Sequence, residues 1–203
     1  MMLYFRKFFF IVLLNIYFIP NTLSNDKELV TTVENYLNSF TTLKAKFQQT
    51  ASNANDIYKE GYIYISKPGK IRFEYLNPNK SFIVLNGKIV MYYDADLEET
   101  SYIKENNYFF QLLSREKLSI KDDVEKIEQK DGKIKLKILK KHNNITTNVT
   151  LIFSKDIMKL ESIYFKNENQ ESYKVYFEDI EYDNKFDKKL FSVQTPEFHS
   201  SPY

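Results

Sequence analysis

The 203-residue chain has no cysteine and no tryptophan, and only four glycines, five prolines and two histidines. Each shortage removes a class of explanation. Without cysteine there is no disulfide, so the fold must rest on its hydrophobic core, and no lipid can be attached through an N-terminal cysteine. The glycines, Gly61, Gly69, Gly87 and Gly132, form neither a GxGxxG motif nor a phosphate loop, which weighs against a nucleotide enzyme. Neither His142 nor His199 belongs to an HExxH motif, and no GxSxG elbow is present. Both histidines read as solvated surface residues. The acidic group Asp94, Asp96, Glu98 and Glu99 lacks the glycine and spacing of a calcium loop and reads as a polar turn. No catalytic residue, metal or cofactor is therefore expected, and the chain reads as a non-enzyme.

The excess of positive charge is also small and local. The chain has 29 Lys+Arg against 27 Asp+Glu, and Arg6 and Lys7 open an apolar stretch from Phe8 to Ile19. Pro20 follows, with Thr22 and Ser24 placed for cleavage, so residues 1–24 read as a secretory signal peptide and 25–203 as one domain. The apolar run is shorter than the ~20 residues of a spanning helix. Without the leader the charges balance, leaving no electrostatic footprint for nucleic acid and no polybasic patch for membranes. About 180 residues suffice for a core that buries roughly 70% of the unfolded surface.

What is present is patterned mainly as strand. Leu29, Val30, Val33 and Leu37 recur at helical spacing and predict an amphipathic helix over 26–38. Beyond Ser39 the period changes to two, with Leu43, Ala45, Phe47, Gln49 and Ala51 on one face of a strand. Strands are predicted at about 57–66, 71–75, 82–85, 89–93, 97–103, 123–130, 133–140, 146–154, 157–166 and 173–182. They are punctuated by Lys67-Pro68-Gly69-Lys70, Asn77-Pro78-Asn79, Asn86-Gly87, Asp131-Gly132 and Lys155-Asp156. Residues 107–113 read as a short apolar helix. The fold class is mainly β, an antiparallel sheet with a few helices.

Several strands are apolar or aromatic on both faces: Tyr62 and Tyr64 oppose Ile63 and Ile65, and Tyr92 opposes Met91 and Tyr93. A sheet in water needs one apolar face. Two imply a second layer or a face that holds a ligand, against the plainer reading of a filled barrel with tyrosines at its rim.

Between Ala45 and Ser101 a series of short motifs resembles the outer-membrane lipoprotein carrier family (LolA). The series is Ala45-Lys46-Phe47-Gln48-Gln49, Gly61 before a strand, Lys67-Pro68-Gly69-Lys70-Ile71-Arg72-Phe73-Glu74-Tyr75, Asn77-Pro78, Asn86-Gly87-Lys88, Tyr92-Tyr93-Asp94 and Leu97-Glu98-Glu99. Phe191 to Pro196 is similar to the family's C-terminal Phe-x-x-x-x-Pro ending, while 120–180 contributes pattern rather than motif. The resemblance implies a half-open antiparallel barrel covered by a helical lid. Its function would be that of a monomeric periplasmic carrier that shields lipoprotein acyl chains, taking cargo from an inner-membrane ABC transporter and passing it to an outer-membrane receptor. It implies an acyl-chain cavity lined by Phe47, Ile63, Ile65, Ile71, Phe73, Tyr75, Ile83 and Met91. The lid helix carries Phe109, Phe110, Leu112 and Leu113. The family latches its lid with an Arg before the Pro of the strand-turn motif. Here that position is Lys67, with Arg72 as a possible substitute on the opposite strand face. Three alternatives remain open: a related lipid-binding or envelope-stress-sensing half-barrel, a lipid or peptide hydrolase, which the missing nucleophile motifs disfavour, and a purely structural envelope protein, which should show no cavity.

Overall fold

The computed structural model describes residues 22–51, 58–104, 108–142, 145–166 and 171–194. The expected leader lies outside them as far as Asn21, as do His199 and Pro196.

Helix α1 (Thr22–Ser39) is followed by β1 (Thr42–Ala51), β2 (Lys59–Ser66), β3 (Lys70–Asn77), β4 (Ser81–Asn86), β5 (Ile89–Asp94) and β6 (Glu99–Lys104). Helix α2 (Tyr108–Ser114) then leads to β7 (Val124–Lys130), β8 (Lys133–His142), β9 (Ile145–Ser154), β10 (Lys159–Lys166) and β11 (Ser172–Tyr182). A 3-10 turn at Lys188–Phe191 comes last. Helix α1 starts one turn before the expected Asn25 or Asp26 cap. Strand β6 starts two residues late, because the Asp94 carboxylate accepts the amides of Asp96 and Leu97 and extends the turn. His142, expected in a loop, ends β8.

All eleven strands form one antiparallel sheet in the order β6-β5-β4-β3-β2-β1-β11-β10-β9-β8-β7. Among the described strands nine of the ten neighbouring pairs are sequence-local, and β1 with β11 is the long-range junction. The ends, β6 and β7, do not pair, so the barrel is half open, as the family resemblance implies. Both helices pack against one face. There Val33 and Leu37 of α1 and Leu112 and Leu113 of α2 join Phe47, Ile63, Ile65, Ile71, Leu136, Leu151, Phe153 and Ile163 in the main core.

Gly61 shows why the motif demands glycine there. A Cβ at that position would lie 1.8 Å from the Glu74 carbonyl oxygen and 3.1 Å from the Tyr75 Cα, inside the irregular step where β2 and β3 change register. Strand β3 passes too close for any side chain. Gly69, at φ +74°, makes the β2–β3 turn and aims two backbone groups outward. Its amide donates to the Ser114 carbonyl at the end of α2 (2.8 Å), and its carbonyl accepts the Gly87 amide of the next hairpin (2.8 Å).

The outer face has a second, smaller cluster. Tyr64, Phe82, Val84 and Met91 are buried there under Phe186, Leu190, Phe191 and Val193 of the C-terminal segment. Asp187 caps the 3-10 turn through the Lys189 amide, and Asn86 Nδ2 donates to the Phe191 carbonyl at 2.9 Å. The two-faced apolar pattern of β2–β5 thus has a structural cause: this half of the sheet is covered on both sides.

Candidate functional site

Where α2 bridges the open part of the half-barrel, its first turn does not fill the space beneath it. A cavity of about 290 Å³ remains, lined by Phe73, Tyr75, Ile83 and Tyr92 from β3–β5, by Phe165, Tyr173 and Val175 from β10 and β11, and by Phe109 and Phe110 of α2. Gln49 and Lys59 complete the lining. Phe109 reaches across between the two halves of the sheet, stacked on Phe165 (centroids 4.6 Å apart) and 6.1 Å from Phe73. Phe47 packs edge-on against Phe73 and Tyr75 at 5.3 and 5.2 Å. The walls are aromatic, so their preferred partner is an apolar group; each methylene buried there is worth about 0.8 kcal/mol.

The polar groups are few. Tyr75 hydroxyl donates to Gln49 Oε1 at 3.0 Å, and burial pushes its pKa upward, so it stays protonated as a donor. Lys59 Nζ lies 5.3 Å from the Tyr75 ring centroid. Among the described lining residues no nucleophile is hydrogen-bonded to a base. The Asp94 carboxylate is occupied by turn amides and by the Tyr92 hydroxyl.

The structure sorts the expected site residues into three groups. Phe73, Tyr75, Ile83, Phe109 and Phe110 line the cavity. Phe47, Ile63, Ile65, Ile71, Leu112 and Leu113 share that face but are packed within the core beside it. Met91 and Arg72 lie on the other face, which corrects the placement of Met91 and agrees with the face expected for Arg72. Met91 opposes Val84, Arg72 opposes Val84 from the other strand, and opposed residues share a face. Met91 is therefore covered by the C-terminal segment, and Tyr92, opposite Ile83, takes the cavity position. Arg72 is 1% exposed, with its guanidinium 4.3 Å from the Phe82 ring centroid and Nε 3.3 Å from Glu74 Oε2. It backs the sheet and has no path to the lid.

Lys67 does reach a helix, though α1 rather than α2. Its ammonium donates to the Leu37 carbonyl in the last turn of α1 and sits 3.8 Å from the Phe40 ring centroid. A cation at a helix C-terminus and over a ring face is well placed. Burial works the other way and pushes its pKa down to about 8. The β2–β3 turn thus holds both helices, α1 through Lys67 and α2 through the Gly69 amide.

Sequence reasoning missed Gln49, Lys59, Tyr92, Phe165, Tyr173 and Val175. Tyr92 was recoverable from hairpin parity with Ile83. The β10 and β11 residues were not, because their approach to Phe109 depends on the β1–β11 junction. It also missed the α1 side chains that fix the segment after α2. The Glu34 carboxylate accepts from Ser119 Oγ (3.0 Å) and the amides of Ile120 (2.7 Å) and Lys121 (3.2 Å). Asn38 exchanges two 2.9 Å bonds with the Leu118 backbone.

Known proteins are similar to this chain in sequence or in fold. An outer-membrane lipoprotein carrier protein of Coxiella burnetii (strain RSA 331 / Henzerling II) is 32% identical over 81 residues, 38% of each chain. A longer match, 25% over 175 residues, covers 80% of this chain and 82% of the outer-membrane lipoprotein carrier protein of Francisella philomiragia subsp. philomiragia. The chain thus spans well under half the length of the Coxiella carrier but most of the Francisella one. In fold, a crystal structure of a DUF1329 family protein from Desulfovibrio piger superposes with a TM-score of 0.52 at 8% identity, over 84% of this chain and 97% of that one. No described helix is long and apolar enough to cross a membrane. The model of the family described as outer membrane lipoprotein carrier protein LolA matches residues 38–194, from the end of α1 through the C-terminal segment. The chain belongs to the LolA family.

Proposed function

We propose that this protein binds the acyl chains of lipoproteins in the cavity beneath α2 and carries them across the periplasm from the inner to the outer membrane. The observation that carries the reading is the aromatic cavity under a short helix, in a chain of the lipoprotein-carrier family. An inner-membrane ABC transporter would supply the cargo and an outer-membrane receptor would take it, with the carrier acting as a monomer and performing no chemistry.

The size of the cavity makes the lid part of the function. At about 290 Å³ it holds roughly ten water volumes of ~30 Å³ each. Three acyl chains need several times that, so α2 has to lift and Phe109 has to leave Phe165. Displacing these aromatic contacts offsets part of the gain from burying methylenes, which keeps affinity low enough for release.

The test is binding of a synthetic triacylated lipopeptide to the purified protein, comparing wild type with Phe73→Glu. Wild type should bind, and the carboxylate at the cavity wall should abolish binding while the circular dichroism spectrum stays unchanged. Equal uptake by both proteins would sink the assignment of this cavity.

A further inference from the structure

Without the leader the charges balance, and that total predicts no basic patch, but the fold separates the charges along the strands of the cavity half. One end of β5 and β6 is acidic: Asp94 lies opposite Glu99, with Asp96 and Glu98 in the turn between them. The other end is basic. Lys70 starts β3 opposite Asn86, Lys88 tips the β4–β5 hairpin, and the Gly87 amide ties the two turns by donating to the Gly69 carbonyl. Ser114, which accepts the Gly69 amide, brings Arg115 and Lys117 to the same end. The C-terminal strap adds Lys188 and Lys189, because its Phe191 carbonyl accepts from Asn86 Nδ2. Two carboxylates share this end: Glu116 sits between the cations after α2, and Asp187 caps the 3-10 turn through the Lys189 amide. Lys70 is half-buried and the other five cations are exposed. Among the described residues none of the six forms an ion pair.

We propose that this basic end is a docking surface for an anionic phospholipid bilayer. It goes beyond the acyl-binding function and does not rest on it. The two ends act independently, because β5 separates them from Ile89 to Asp94, roughly 17 Å at ~3.3 Å per residue, about twice the Debye length at physiological salt. The apolar groups beside the cations select a bilayer over an acidic protein face. Ile89, 47% exposed, follows Lys88 and continues the row Lys70–Asn86 on the outer face. Tyr102, 55% exposed, lies opposite Met91 on that face. The hairpin tip is open, with no described atom within 4 Å of where a Gly87 Cβ would sit. Lysines can reach lipid phosphates while their stems and an isoleucine enter the acyl boundary, and a tyrosine suits the headgroup level. An acidic protein face would set Ile89 and Tyr102 against charge instead. Docking at this end turns the Asp94 end, which the same surface repels, away from the lipid.

The experiment is flotation of the purified mature protein with vesicles of phosphatidylcholine alone or mixed with phosphatidylglycerol, at low and high salt. Wild type should float with the anionic vesicles, remain behind with the neutral ones, and be released as salt rises. Each basic residue that reaches an anionic surface strengthens partitioning roughly fivefold. Lys70→Gln, Lys88→Gln and Lys188→Gln together should therefore weaken it by up to about a hundredfold. Lys80→Gln, Lys135→Gln and Lys166→Gln together remove the same charge at exposed positions elsewhere and should float as wild type. Ile89→Gln should weaken partitioning roughly fivefold with the salt dependence unchanged, since it removes apolar contact and no charge. Absence of wild-type flotation at low salt, or equal losses in the two triple variants, would overturn the docking surface. Binding to immobilised polyglutamate without flotation would assign the patch to an acidic protein and overturn it as well. Lipopeptide binding by the first triple variant should match wild type, so docking and cargo binding fail separately.

Discussion

The two halves of the sheet share one core but treat their outer faces differently. In β2–β5 the outward residues Tyr64, Arg72, Phe82, Val84 and Met91 are buried, roofed by Phe186 to Val193. In β7–β10 the outward positions carry Lys133, Lys137, Glu125 and Glu161, paired across strands as Lys133–Glu161 (2.8 Å) and Lys137–Glu125 (2.7 Å) in water. The first half is a three-layer structure, with helix inside and strap outside; the second has helix and solvent. The half that supplies Phe73, Tyr75, Ile83 and Tyr92 to the cavity is thus the one stiffened from behind. Under the proposed function such backing would keep this wall in shape as the cavity fills, because a packed interior resists deformation.

This contrast is open to direct attack. The largest effect is expected for Phe191→Ala, which empties the centre of the outer cluster, where Phe191 is 2% exposed and packs edge-on against Phe186. It should cost about 3–5 kcal/mol in urea unfolding. A loss below about 1 kcal/mol would mean that the strap only rests on the sheet. An intermediate effect belongs to Lys67, which joins the cavity half to α1. Its folded-state pKa, about 8, lies below the unfolded value of ~10.4, so between those values the unfolded chain binds a proton that the folded chain lacks. Stability contributed by this group should rise across that window and be flat below it. Because the ammonium is only half buried and partly screened, the change is on the order of 1 kcal/mol. Comparing wild type with Lys67→Met at pH 7.5 and 10 isolates it, and parallel stability profiles would refute the burial of a charged Lys67. The smallest effect is expected in the other half. Lys137→Ala should change stability by no more than about 0.5 kcal/mol, and less at high salt, as for exposed pairs generally. A cost similar to that of Phe191→Ala would erase the distinction between the halves.

Much of the fold was legible because its contacts are local. Asn86-Gly87, Asp131-Gly132 and the Lys67–Lys70 turn announce hairpins, and period-two alternation marks the strands between them. The cavity was legible in part. Phe73, Tyr75 and Ile83 follow from alternation, and Phe109 and Phe110 from the apolar helix. Arg72 and Met91 show the limit. In strands apolar on both sides, alternation separates two faces without saying which is inner, and a buried arginine looks like a surface cation until Phe82 is found beneath it.

By itself the sequence determined the order of hairpins, the antiparallel class and the aromatic walls, since each depends on residues a few positions apart and on backbone preferences acting over that range. Only the tertiary structure decided the rest. Closure of β1 against β11 brings Phe165 and Tyr173 to Phe109, the C-terminal strap selects the outer face, and Asp123 meets Tyr108 across α2. These contacts join distant segments whose partners no local pattern names, and they form because burying shared apolar surface outweighs the entropy of closing the loops between them.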